Sequence, residues 1–146
     1  MSADQFCLLA AGVFFTSGLL TGVWKYAAIM ASPGAQAPVY VDVAHRTSLM
    51  YSFAAVLLRQ FVPYSPLSPA GTLWAVAVPV LFFASAVAIY ILHGILRDTD
   101  NQLRKPFVLG KGHMPAALIR LYMAALIAGE IGGFAILFYG FLRSLR

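Results

Sequence analysis

The residues of this chain best suited to chemistry are its three histidines, His45, His93 and His113. A neutral imidazole is the commonest metal ligand in proteins, and it also ligates haem iron. Each histidine lies within about one helical turn of the end of a long apolar stretch, so the three could share one layer. An imidazole at such a boundary also commonly anchors a helix at the lipid headgroups, and for His93 and His113 that structural role is the favoured interpretation.

Polar residues within the apolar stretches form a second group of candidates. One polar stripe at helical spacing should face protein or a cavity rather than lipid. It consists of His45, Ser48, Ser52 and Arg59. Glu130 lies at a depth similar to that of Arg59, and we expect the two to form an ion pair, because either charge alone in lipid costs several kcal/mol.

Four apolar stretches must position these residues, each close to or above the roughly 20 residues that cross a bilayer. They run over about 6–30, 43–62, 72–96 and 114–142, and prolines and glycines punctuate the first two connections. Hydrophobic residues make up 61% of the chain and charged residues only 10%, against roughly 25% charged in soluble domains. The sequence predicts an all-α integral membrane protein, a bundle of four transmembrane helices forming a single domain over residues 1–146.

The distribution of basic residues predicts an orientation. Most of them lie near the first and third connections, which the positive-inside rule places in the cytoplasm, with both termini outside. The net charge of +5 is then explained by basic loops on the cytoplasmic side, which contact anionic lipid headgroups, and we expect no nucleic acid partner. The single cysteine, Cys7, excludes an internal disulfide, and no phosphate-binding glycine loop or G-x-S-x-G turn occurs.

Several short motifs between residues 22 and 90 occur in one ungapped order. They are Gly22-Val23-Trp24, Pro38 before the pair Ala44-His45, Pro63, and Tyr90. In this order and spacing the region resembles styrene oxide isomerase, a family of small four-helix membrane enzymes. The fourth stretch matches that family by hydropathy alone.

The resemblance implies a haem b enzyme. Members of the family bind haem b where the subunits of a trimer meet, and the histidine of the Ala-His pair, here His45, ligates the iron. Ferric iron acts there as a Lewis acid toward an epoxide oxygen, and ring opening with a hydride shift gives an aldehyde. The tyrosine near the substrate corresponds to Tyr90. Tyr51 stands where the family has an asparagine that holds the reacting oxygen, and a phenol can also donate a hydrogen bond there.

On this interpretation Tyr90 and Tyr51 are the candidate catalytic residues, and His45 is the metal ligand. The further candidates for binding the cofactor are Arg46, Trp24 and Arg120. The resemblance implies haem b as the cofactor, a small hydrophobic substrate, and a homotrimer in contact with membrane lipid. We expect a multi-pass protein of the bacterial inner (cytoplasmic) membrane.

Three other functions remain open from the residues. A bis-histidine electron-transfer or quinone-reactive cytochrome b would use His45 with His93 or His113 as axial ligands. A glutathione transferase of the microsomal (MAPEG) type shares the size, charge and helix count, but Met50 and Tyr51 stand where acidic or amide residues would be expected. The third is an accessory subunit with no cofactor.

Overall fold

The computed structural model describes all 146 residues and contains four long helices. These are α1 (Ala3–Met30), α2 (Val39–Phe61), α3 (Pro69–Leu96) and α4 (Ala116–Ser144). A 3₁₀ turn (Val62–Tyr64) extends α2, and a two-residue antiparallel hairpin, β1 (Val108–Leu109) with β2 (Gly112–His113), interrupts the last connection. The all-α prediction is confirmed, although the hairpin was not expected from the sequence.

Three of the helices, α1, α3 and α4, are long and apolar enough to cross a membrane. Many large hydrophobic side chains point outward, Leu20, Phe53, Leu121 and Ile131 among them. Such a surface suits lipid better than water. The helix α2 has 23 residues, but the charged and polar side chains of its stripe and of its first two turns lower its hydropathy below that of the other three.

The helices begin where local chemistry favours a start, up to four residues from the predicted positions. The hydroxyl of Ser2 and the side chain of Gln5 form a capping box at the start of α1. Pro38 is the N-cap of α2, and Pro69 occupies the first turn of α3 behind the Ser68 cap. Proline lacks only an N–H that is unsatisfied in the first turn anyway, so residues that signal a turn also open the next helix.

The four helices alternate in direction, and the bundle has two distinct ends. One, the terminal end, carries both termini and the connection 62–68; there α4 crosses so close to the 3₁₀ turn that a Cβ on Gly140 would overlap the Tyr64 carbonyl. The other, the hairpin end, carries the connections 31–38 and 97–115. The helix α2 packs along α1 and α3, while α4 packs on α3.

Small residues set the spacing between α3 and α4. A Cβ added to Gly133 would lie 2.5 Å from the Ala75 carbonyl oxygen, and one added to Gly129 would lie 2.6 Å from the ring of Phe82. Nothing lies within 4 Å of the corresponding position on Gly132. Close packing through glycines of α4 therefore occurs at Gly129 and Gly133, within the chain, and not at Gly132.

Candidate functional site

His45 lies on α2 with its ring against α1. Its Nδ1 is 2.8 Å from the carbonyl oxygen of Gly18, and a Cβ added to Gly22 would come within 2.9 Å of the ring. Because a carbonyl oxygen only accepts, Nδ1 donates, and a neutral ring keeps its free lone pair on Nε2. The side chain is half-buried, and it lines neither of the two main cavities of the chain.

The polar stripe of α2 faces protein, namely α1. Ser48 is fully buried, and its hydroxyl lies 3.3 Å from that of Ser17. Arg59 donates from Nε to Asp4 Oδ1 at 2.7 Å. The predicted pair of Arg59 with Glu130 is wrong, because Asp4 of α1 is the partner of Arg59. The prediction compared only the depths of Arg59 on α2 and Glu130 on α4, and so it did not consider α1. Glu130 Oε1 is buried with no hydrogen-bond partner.

Arg46 follows His45 at the hairpin end and shares a carboxylate with a lysine. Asp42 Oδ1 lies 2.6 Å from Lys25 Nζ, and Asp42 Oδ2 lies 2.7 Å from Arg46 Nη2. The Arg46 side chain is 65% exposed, so it is accessible from outside the chain. Arg46 can therefore bind a second acidic group without giving up Asp42.

The other two predicted cofactor residues lie on different helices. Trp24, near the end of α1, packs on α3, where a Cβ added to Gly94 would lie 2.8 Å from the indole ring. Arg120, in the second turn of α4, is exposed and makes no ion pair. No hydrogen bond or ion pair joins Arg46, Trp24 and Arg120 to one another.

The two candidate catalytic tyrosines lie between α2 and α3. Tyr51 stacks on Phe83 with ring centroids 4.2 Å apart, and Tyr90 stacks on Tyr40 with centroids 5.8 Å apart. Neither phenol makes a hydrogen bond within the chain, and neither ring contacts His45. Within one chain, the predicted ligand and the predicted catalytic residues therefore belong to different interhelical layers.

His93 is buried at the C-terminal end of α3, and it has a carboxylate partner that sequence reasoning missed. Its Nδ1 lies 2.7 Å from Asp98 Oδ1, while Asp98 Oδ2 accepts the Gly110 backbone N–H at 2.5 Å. Tyr40 packs on the imidazole with centroids 4.9 Å apart. The signal in the sequence was an aspartate five residues after a histidine, just past the end of a helix, where the chain can turn back.

A cavity of about 280 Å³ lies beside this pair, between α3, α4 and the 97–115 connection. Its lining is mostly apolar, and His93 is one of the few polar residues that reach it. The others are Ser85, Gln102 and Tyr122. Of the two main cavities of the chain, this is the more enclosed.

The three histidines share the hairpin end, yet each has different surroundings. His45 bonds to α1, His93 bonds to Asp98, and His113 is exposed on β2. No three histidine, cysteine or acidic side chains are grouped to hold a metal ion.

Comparison with known proteins adds nothing to this geometry, since no family model, curated protein or solved structure matches the chain.

Proposed function

We propose that this protein is a four-span membrane protein that binds haem b through His45 and isomerises a small epoxide to a carbonyl compound. The observation that supports this most directly is the setting of the His45 ring. An iron-ligating histidine almost always donates its other ring N–H to a carbonyl or carboxylate, which fixes its orientation. The Gly18 carbonyl accepts such a bond from Nδ1, and Nε2 remains free to ligate iron.

The small residues on α1 fit this role. Gly22 makes room for the imidazole, because a Cβ there would come within 2.9 Å of the ring, and Gly18, one turn earlier, makes room for Leu49 of α2. The single chain forms no main cavity beside His45, so the porphyrin slot must be completed by another copy. The trimer that the resemblance implies would supply that second wall.

Charged and phenolic side chains would complete the site. The exposed side chain of Arg46, at the hairpin end, suits a carboxylate of the porphyrin. Tyr90 and Tyr51 have phenol groups without partners in the chain, so each can donate to the oxygen of a bound substrate. Bound ferric haem would supply the Lewis acid that opens the epoxide. The apolar surroundings exclude water, which favours isomerisation over hydrolysis.

The same proposal covers the membrane arrangement. Although α2 is the least apolar helix, its polar stripe faces α1, so its other face can meet lipid or a second copy. We place the protein in the bacterial inner membrane with the hairpin end in the cytoplasm and both termini outside, following the positive-inside rule.

The decisive experiment is the visible spectrum of the protein purified in detergent. We expect stoichiometric haem b with a high-spin ferric spectrum that shifts with small ligands, and conversion of styrene oxide to phenylacetaldehyde. His45→Ala should lose haem and activity, and Gly22→Ala, which presses on the ring, should weaken haem binding by about 10–100-fold.

His113→Ala is the matched control and should keep both haem and activity, because that histidine is exposed on the hairpin. A colourless wild-type protein, or His45→Ala with full haem content, would refute the proposal. A low-spin bis-histidine spectrum would replace the isomerase with an electron-transfer cytochrome b.

A further inference from the structure

The cavity between α3 and α4 is independent of His45 and of any haem. It is enclosed by two helices and by the connection 97–115, and most of the side chains that line it are apolar. Four of the lining residues carry polar groups, namely Ser85, His93, Gln102 and Tyr122.

His93 presents an acceptor to this cavity. Its Nδ1 is committed to Asp98, so a neutral ring carries its lone pair on Nε2. Only 3% of the residue is exposed. Nε2 has no hydrogen-bond partner. The only fully buried side-chain atoms without a partner are Gln102 Oε1 and Glu130 Oε1, so Nε2 is not fully buried. The remaining exposure of His93 therefore includes Nε2.

The other polar groups of the cavity also offer acceptors, although the side-chain amide of Gln102 carries donors as well. Ser85 donates its hydroxyl proton to the Phe82 carbonyl at 2.8 Å. The proton between Ser85 Oγ and Tyr122 Oη, 2.6 Å apart, must then come from Tyr122. The phenol oxygen keeps a lone pair, and the buried Oε1 of Gln102 is unpartnered. The hydroxyl protons of the wall and the Nδ1 proton of His93 are thus engaged within the protein, and among the polar side chains only the Gln102 amide keeps N–H groups to donate.

We propose that this cavity binds a small ring-bearing alcohol or phenol, whose hydroxyl donates to His93 Nε2. An apolar body would fill the space between Ile89, Leu118 and Met123, and the hydroxyl would satisfy an acceptor that the protein leaves open. The cavity of about 280 Å³ lies at the small end of the range for ligand pockets, which begins at roughly 300 Å³. It therefore suits a small ligand of one or two rings. Asp98 positions His93, because it fixes the tautomer that leaves Nε2 as the acceptor.

The binding test compares 2-naphthol with its methyl ether, 2-methoxynaphthalene, on the purified protein in lipid nanodiscs, with empty nanodiscs as the partition blank. The two probes have similar shapes, but only the naphthol can donate. We expect the wild-type protein to bind the naphthol about tenfold more tightly than the ether, the effect of one buried hydrogen bond.

Two variants separate the hydrogen bond from the space. His93→Asn keeps an amide donor for Asp98 but removes Nε2, and it should bind naphthol no better than ether. Met123→Trp fills the cavity and should bind neither probe. His113→Ala, at the same end of the bundle, should behave as wild type.

Equal binding of the two probes by the wild-type protein would overturn the proposal, as would unchanged naphthol binding by Met123→Trp. The second outcome decides the matter even if His93→Asn fails to fold. Haem content plays no part in either readout, so a failure here leaves the role of His45 untouched, and a colourless protein can still pass this test.

Discussion

Asp98 accepts two hydrogen bonds just beyond the C-terminal end of α3, one from His93 Nδ1 and one from the Gly110 backbone. Burial raises the pKa of this carboxyl, but the two hydrogen bonds outweigh burial and hold the pKa below its ordinary value. The ionised carboxylate therefore stabilises the fold at pH values above about 4, the ordinary pKa of aspartate. This stabilisation is lost as the pH falls through the lowered pKa of the folded state.

We expect Asp98→Asn to lower the free energy of unfolding near neutral pH by roughly 1–3 kcal/mol, because one or both of the buried donors lose their acceptor. The variant should also lack the part of the acid destabilisation that Asp98 causes below about pH 4. Thermal unfolding in detergent between pH 7 and pH 3 measures both effects. Asp100→Asn is the matched control, since Asp100 is exposed and pairs only with Arg104. Identical pH profiles for Asp98→Asn and the wild type would contradict this account.

The packing of α4 on α3 depends on which face of α4 each glycine occupies. Gly133→Ala places a methyl group 2.5 Å from the Ala75 carbonyl and 2.6 Å from the Pro79 ring. Backbone cannot move aside as a flexible side chain can, so we expect a loss of roughly 1–3 kcal/mol in the free energy of unfolding. Gly132→Ala meets nothing within 4 Å and should be neutral or slightly stabilising. Denaturation of both variants in a mixed-detergent titration checks the difference, and equal stabilities would show that the two helices are not packed this closely.

The helices could be predicted from the sequence because apolar length and punctuation by proline are local signals. The contacts between helices could not, and Arg59 shows why. The depth of Arg59 along α2 restricts its ion-pair partner to residues at the same depth in the membrane. Which helix lies beside Arg59 then decides between Glu130 and Asp4, and that helix is α1. The pair of His93 and Asp98 was missed for a related reason, since it forms only because Arg97 takes a left-handed conformation (φ 52°) that ends α3 and turns the chain back.

At the scale of the whole molecule, polar chemistry is concentrated at the hairpin end, in two separate places. His45 lies in the contact between α1 and α2, while the cavity beside His93 lies between α3 and α4. The terminal end has the ion pair of Arg59 with Asp4 and the aromatic cluster around Phe61. This asymmetry agrees with the proposed orientation, in which the hairpin end lies at one side of a membrane and the terminal end at the other.

That orientation, and the crossing of the membrane by α2, can be tested with single cysteines placed at the two ends of α2. In a Cys7→Ala background, Gln36→Cys lies in the first connection and Leu67→Cys in the second, and both positions are exposed. With the hairpin end in the cytoplasm, a membrane-impermeant maleimide should label Leu67→Cys in cells whose inner membrane is intact. It should label Gln36→Cys only after that membrane is permeabilised. Labelling of both before permeabilisation would mean that α2 does not span, whereas the reverse pattern would keep four spans and invert the protein.

The polar stripe of α2 argues for the spanning result. Ser17, Gly18 and Asp4 of α1 bond to its polar side chains along the length of α2. The remaining surface of α2 is therefore free to meet lipid.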